Sequence, residues 1–159
     1  MYWWILFIKE QINYEFSTET KQTEEEIKVG DDNSTPNKDG KKSLVVYFSV
    51  PETDDPNKKM TTEEENSAIV VEGKVLGNTE YAAKLIKDNI GADIYRIEPK
   101  NPYTTNHSDL VSLAKEEQEK DVRPEIKTKT SNFDDYDIIY VGYPIWWYTL
   151  PMPIYTFFW

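Results

Sequence analysis

The apolar residues of this chain fall into short, separated runs. Ser43–Ser49 (SLVVYFS) is continuously apolar from Leu44 to Phe48, and Asp137–Val141 (DIIYV) is apolar from Ile138 until Gly142 and Pro144 interrupt it. Short β-branched runs of this kind predict strands buried on both faces of a parallel sheet. Ala92–Glu98 (ADIYRIE) alternates instead, with Ile94 and Ile97 turned inward and polar residues between, which predicts a strand nearer an edge. Ala82, Leu85, Ile86 and Ile90 recur at helical spacing over Thr79–Ile90. Asn78 or Thr79 serves as N-cap there, Glu80 favours the first turn, and Gly91 is the natural stop. A second helix is predicted over Ser108–Lys120. Leu110, Val111, Leu113 and Ala114 occupy one side of it, and Glu116–Lys120 form a solvated face. Pro151 suits the first turn of a last helix carrying Ile154, Tyr155, Phe157, Phe158 and Trp159. Of the remaining segments, Val50–Ser67, punctuated by Pro51 and Pro56, reads as a loop, as do Pro99–Asn106 and the long connection Asp121–Asp135. Ala68–Leu76, two short β-branched runs around Glu72–Gly73, reads as a small hairpin. The order strand, helix, strand, helix, strand, helix start predicts an α/β fold, a parallel sheet with helices on both faces.

The residues before the first strand differ in character. Lys9–Lys42 is polar and charged, with too few apolar residues to offset an ordering cost on the order of 1–2 kcal/mol per residue, and reads as a disordered leader. Tyr2–Ile8 (YWWILFI) is too short to span a membrane and lacks the basic start and cleavage site of a signal peptide. It reads as the stump of a longer signal or anchor, or as an artefact of where the coding region was started. The organisation expected is therefore a short apolar start and leader over residues 1–42 and one domain over residues 43–159. No transmembrane segment is expected. The default location is the cytoplasm, the alternative being export or membrane tethering through a missing N-terminal signal.

Charge and composition then remove several function classes. A net charge of -11 without a basic cluster argues against nucleic acid and anionic membranes as partners and suits a basic protein partner, or solubility alone. The absence of cysteine removes disulfides, thiol catalysis and Cys-ligated metal sites. No serine has a general base and a third group to orient it at recognisable spacing, and the single histidine argues against a hydrolase triad. His107, between Asn106 and Ser108 at a helix start, reads as a surface or capping residue. Asp134, Asp135 and Asp137 read as an acidic turn in preference to a divalent-ion site, and Glu24–Glu26 and Glu63–Glu65 as solvated runs. No catalytic and no metal-binding residue is assigned.

Two stretches carry candidate binding chemistry. Ser49 ends the first strand and Gly77–Asn78–Thr79 opens the first long helix. A helix start holds a phosphate through unpaired N–H groups and a positive dipole end, and the Ser49 and Thr79 hydroxyls and the Asn78 amide add donors. Plain helix capping is the alternative for this tripeptide. Both halves meet only if Val50–Leu76 loops out and returns. Tyr143, Pro144, Ile145, Trp146 and Trp147 follow the strand at Asp137–Val141, at the carboxyl edge where open α/β sheets bind ligands. Their planar rings suit stacking on a flat heteroaromatic ligand, or packing in a core or interface.

Taken together, SLVVYFS, GNTEYAAKLI, GADIYRIEPKNPY and DDYDIIYVGYPIWW with LPMPIYTF resemble the flavodoxin family, and within it bacterial flavodoxin-like proteins with a YPIWW loop. The resemblance covers about Lys42 to Trp159. It implies a flavodoxin-like doubly wound sheet of strand order 2-1-3-4-5 with FMN at the switch between strands one and three. It also implies that Ser49, Asn78 and Thr79 hold the FMN phosphate. Pro144, Ile145, Trp146 and Trp147 would line the ribityl chain and ring. The phosphate loop is usually compact; here an insertion over residues 50–76 splits it. The chain also stops at Trp159, where family members continue through strands four and five, so the fold is expected to be incomplete, the third strand an apolar edge, and the chain alone poorly stable and weak in FMN binding. The function implied is that of an FMN-binding redox protein. It is either an electron carrier needing a redox protein partner, or an FMN-dependent oxidoreductase using NAD(P)H and a small-molecule acceptor. A flavin-free interaction domain, or an inactive fragment, is the alternative.

Overall fold

The computed structural model of the protein describes residues 40–129 and 133–159. The leader expected over residues 1–42 thus lies almost wholly outside the described residues. Chain order is β1 (Ser43–Tyr47), α1 (Thr62–Ser67), β2 (Ala68–Val71), β3 (Lys74–Gly77), α2 (Asn78–Ile90), β4 (Asp93–Arg96), α3 (His107–Glu119), a 3-10 turn (Phe133–Asp135), β5 (Ile138–Gly142) and α4 (Met152–Phe158). β1 lies at the centre of a parallel sheet of order β4-β1-β5. This is the 2-1-3 arrangement that the family resemblance implies.

Alternation along β1 divides the interior in two. Leu44, Val46 and Phe48 face Tyr95, Ile97, Leu110, Ala114, Trp146, Ile154 and Phe157, so α3 and α4 cover that side. Val45 and Tyr47 face Ala83, Ala92 and Ile94, with Ile86 and Ile90 beside them, so α2 covers the other. Both faces of β1 are buried, as a continuous apolar run requires.

β4 and β5 both pair with β1 alone, yet they differ. β4 buries Ile94 on one face and Tyr95 on the other. Tyr95 is therefore a core residue and not one of the polar positions expected between the isoleucines. β5, expected to be buried on both faces, exposes Tyr140 (37 %) and Val141 (39 %). β5 is the apolar edge expected for the third strand, and unlike the other edge strand, β4, it leaves these two side chains uncovered.

Other differences have local causes. Val50–Ser67 is not all loop. Thr61 and Glu64 form a reciprocal capping box that starts α1, the S/T-x-x-E signature of a helix start. Glu64 is consequently buried, although Glu63–Glu65 reads as solvated. The hairpin is present, and Glu72 (φ 51°) and Gly73 (φ 77°) make its turn. α2 begins one residue earlier than expected, with Gly77 as N-cap, and ends on Gly91 in the left-handed region. On α3, Leu113 is exposed while Glu117, within the face expected to be solvated, is buried. Glu117 turns inward because the Tyr103 hydroxyl donates to its Oε2 at 2.6 Å. Among the described residues no helix is long and apolar enough to cross a membrane.

Candidate functional site

The carboxyl end of β1 is where separated parts of the chain converge. The Phe48 N–H donates to the Gly142 carbonyl at 2.9 Å, and the Ile97 N–H donates to Tyr47 at 2.7 Å. β3 delivers Gly77 directly against Ser49. A Cβ on Gly77 would collide with the Ser49 hydroxyl and stand 3.1 Å from its Cβ, so only glycine allows this approach. Val50–Leu76 therefore leaves and returns at one point, and the two halves of the predicted phosphate turn meet. Gly142 closes the third side: a Cβ there would lie 3.2 Å from the Thr79 methyl and 3.5 Å from the Tyr47 Cβ.

This turn has the donors an anion needs. α1 and α3 start under side-chain caps from Thr61 and Asn106, but α2 starts at Gly77 with none. Its first-turn N–H groups therefore have no side-chain cap and lie at the positive end of its dipole. Ser49 (6 % exposed) and Thr79 (7 % exposed) are buried, and neither hydroxyl has a hydrogen-bond partner among the described residues. Buried hydroxyls are rarely left so, and a ligand or water oxygen can claim both. Asn78 is partly committed, because its Nδ2 donates to the Glu65 carbonyl at 3.1 Å. Glu80, also in the first turn, would repel an anion, but Lys84 at 2.9 Å and Arg96 at 3.5 Å offset its charge. Burial first, then the Glu80 carboxylate, pushes the Tyr47 phenol up to about 12, so it stays neutral beside the turn.

The aromatic loop is built differently. Tyr143, Pro144 and Ile145 are half-buried just past β5. Trp146 (7 % exposed) joins the larger hydrophobic cluster, edge-on to Phe48 at 5.4 Å and to Tyr103 at 5.2 Å between centroids. Trp146 and Thr149 exchange main-chain hydrogen bonds of 3.1 and 3.0 Å across a two-residue turn. Trp147 (φ 48°) and Tyr148 (φ 65°) occupy that turn, both in the left-handed region. Such turns favour Asn-Gly, and each bulky residue there costs about 1 kcal/mol or more. The Trp147 indole N–H donates to the Val111 carbonyl at 3.0 Å, and the Lys115 ammonium sits 5.3 Å from its ring centroid. Of the two predicted stacking residues, Trp146 is thus engaged in the core and Trp147 rests along α3. Tyr148, which no sequence signal singles out, is 97 % exposed.

A second polar cluster lies next to the first. A cavity of about 500 Å³ opens between the insertion and the start of α3. On its wall His107 Nδ1 donates to Glu52 Oε2 at 2.5 Å, giving the lone histidine a buried carboxylate partner 55 residues away. Sequence spacing carries no sign of that pair. Deeper in, burial and then the adjacent Glu117 carboxylate drive the Tyr103 phenol far above its ordinary range. Burial also raises the Glu117 carboxyl, against the pull of the Tyr103 hydrogen bond. Among the described residues no group of three or more His, Cys, Asp or Glu side chains is placed to hold a metal ion.

The fold has counterparts. A family model described as flavodoxin matches residues 68–159. A crystal structure of a candidate flavoprotein from Bacteroides eggerthii is similar at 31 % identity and a TM-score of 0.50, covering 74 % of this chain and 60 % of that one. Another, of a candidate flavoprotein from Bacteroides uniformis, is similar at 27 % identity and a TM-score of 0.49, covering 74 % of this chain and 62 % of that one. The chain therefore spans about three-fifths of the length of these two proteins. No curated protein matches it. With more than half of its residues matched and the parallel β4-β1-β5 sheet in place, the chain belongs to the flavodoxin family.

Proposed function

We propose that the protein is an FMN-binding redox protein whose Ser49, Asn78 and Thr79 hold the FMN phosphate. The observation that carries this is the pair of buried hydroxyls, Ser49 and Thr79, without a partner among the described residues, at the uncapped start of α2. Family membership supports a flavin as the ligand. In this reading the α2 N–H groups and both hydroxyls orient the phosphate, and Gly77 and Gly142 keep Cβ atoms out of the turn. Tyr143, Pro144, Ile145 and Trp147 supply the nearby wall, with Trp146 supporting it from the core. Bound FMN would supply one- or two-electron transfer, while the chain's net charge of -11 would lower its reduction potential. The same site serves a carrier that needs a basic protein partner and a reductase that consumes NAD(P)H without one; anaerobic mixing with NAD(P)H separates them.

The test is titration of FMN and of riboflavin, which lacks the phosphate. FMN is expected to bind more tightly. Thr79→Val and Ser49→Ala should each weaken FMN about tenfold, the scale of a lost hydrogen bond to a charged group, and leave riboflavin unchanged. Equal affinity for both ligands, or for the variants and the parent chain, overturns the assignment. A second reading, a flavin-free interaction domain, rests on the commitment of both tryptophans to the protein itself. Protein that stays colourless after reconstitution with FMN would favour it.

A further inference from the structure

Apart from Val50, which packs on the larger hydrophobic cluster, and the buried Ala68, the insertion Val50–Leu76 is held down mainly by polar contacts. Neither hydrophobic cluster takes in a residue from 51–76. Within it, the Glu52 main-chain N–H donates to Ser67 Oγ at 2.9 Å, fixing its outgoing limb to the end of α1. Asn78 Nδ2, donating to the Glu65 carbonyl at 3.1 Å, ties α1 to the start of α2. Among the described residues, the hydrogen bond from the insertion to α3 is that between His107 and Glu52, and it spans a gap: Thr53, Lys58 and Thr61 wall the cavity on the insertion side, Thr105 and Asn106 on the other. A short helix and a two-stranded hairpin are marginal alone, and a segment with little apolar burial opens at low free energy. What holds such a segment closed is therefore a small number of hydrogen bonds.

Glu52 is also close to the turn in sequence. It lies three positions after Ser49 in the chain, a reach of at most about 10 Å. Pro51 lies between them, and its main-chain nitrogen lies 3.6 Å from where a Cβ on Gly77 would stand. Movement of Glu52 is passed on to the base of the insertion, where Ser49 meets Gly77. The geometry points to His107 as a positioning residue: by holding Glu52 it latches the insertion against α3, keeps Ser49 seated at Gly77, and slows release of a phosphate-bearing ligand from the turn. The ligand half of this inference rests on the FMN reading above; the latch itself does not.

The test uses the full chain with three substitutions. His107→Asn keeps an N–H donor where Nδ1 stood, His107→Leu removes it, and Glu52→Gln keeps an acceptor without its charge. His107→Leu should raise the FMN dissociation rate about tenfold, as expected for a lost hydrogen bond to a charged group. It should also speed amide hydrogen exchange across residues 52–67, with His107→Asn close to the parent chain and Glu52→Gln between. An unchanged dissociation rate in His107→Leu, or an equal acceleration in His107→Asn, overturns the positioning role. Without FMN, hydrogen exchange over residues 52–67 still reads the latch. A parent chain that binds no FMN defeats the flavin site, whereas exchange unchanged in His107→Leu defeats the latch.

Discussion

The turn at Ser49 and Gly77–Thr79 and the loop at Tyr143–Thr149 stand at the same end of the sheet, yet they use their residues in opposite ways. The turn is assembled from distant parts of the chain by a close fit at glycine, and among the described residues it leaves two hydroxyls without hydrogen-bond partners and a helix start without a side-chain cap. The loop is local, and it commits its groups internally. Trp146 enters the core, the Trp147 N–H goes to Val111, and Gln118 Nε2 donates to the Trp147 carbonyl at 3.4 Å. A site keeps bonding capacity in reserve, whereas a structural element uses it. By that measure the turn has the character of a ligand site, and the loop is partly a brace between β5 and α3.

The sharpest way to break this contrast is to separate the two tryptophans. Trp146→Ala should cost about 3–5 kcal/mol, as for a large side chain cut from a core. Trp147→Ala should cost about 1 kcal/mol, the net worth of its hydrogen bond to Val111. Denaturant unfolding measures both, and similar losses for the two would mean that Trp147 is as much a core residue as Trp146. Gly77→Ala comes next. Overpacking against Ser49 should cost about 1–3 kcal/mol and displace the turn. FMN binding should fall with it, and an alanine variant with full stability and full FMN affinity would show that the close fit is dispensable. The smallest effect concerns the strained pair. Tyr148→Gly should stabilise the chain by about 1 kcal/mol, because glycine accepts a positive φ without strain. A melting temperature that falls would show that the Tyr148 side chain contributes more than its conformation costs.

Much of the scaffold is legible in the residues themselves, because local chemistry decides it. The apolar run Leu44–Phe48 predicts a central strand, Glu72–Gly73 marks a hairpin, and Gly91 stops a helix in the only conformation that suits it. α1 is missed, because Pro51 and Pro56 before it suggest a loop over Val50–Ser67, although Thr61 and Glu64 carry its local start signal. What else escapes the sequence depends on packing. Glu117 is buried because Tyr103 reaches it, and Leu113 is exposed because α3 turns Leu110 and Ala114 inward instead. Ile138–Val141 has the composition of a central strand, but among the described residues it is an edge strand whose Tyr140 and Val141 no helix covers, whereas the other edge strand, β4, is buried on both faces. The site divides along the same line. Its donors are evident from Ser49, Asn78 and Thr79. The meeting of Ser49 with Gly77 depends on the hairpin bringing the chain back, and the pairing of Glu52 with His107 has no local signature.

That meeting has an architectural consequence. Because residues 49 and 77 already touch, the segment between them is a graft on a closed junction, and the rest of the domain does not feel its length. Closing a longer or shorter loop changes the chain entropy only slowly, by about 0.6 kcal/mol for each doubling. Evolution or an engineer can trim or enlarge the graft beyond Glu52, provided the bond from Glu52 to His107 and the contact of Ser49 with Gly77 are kept.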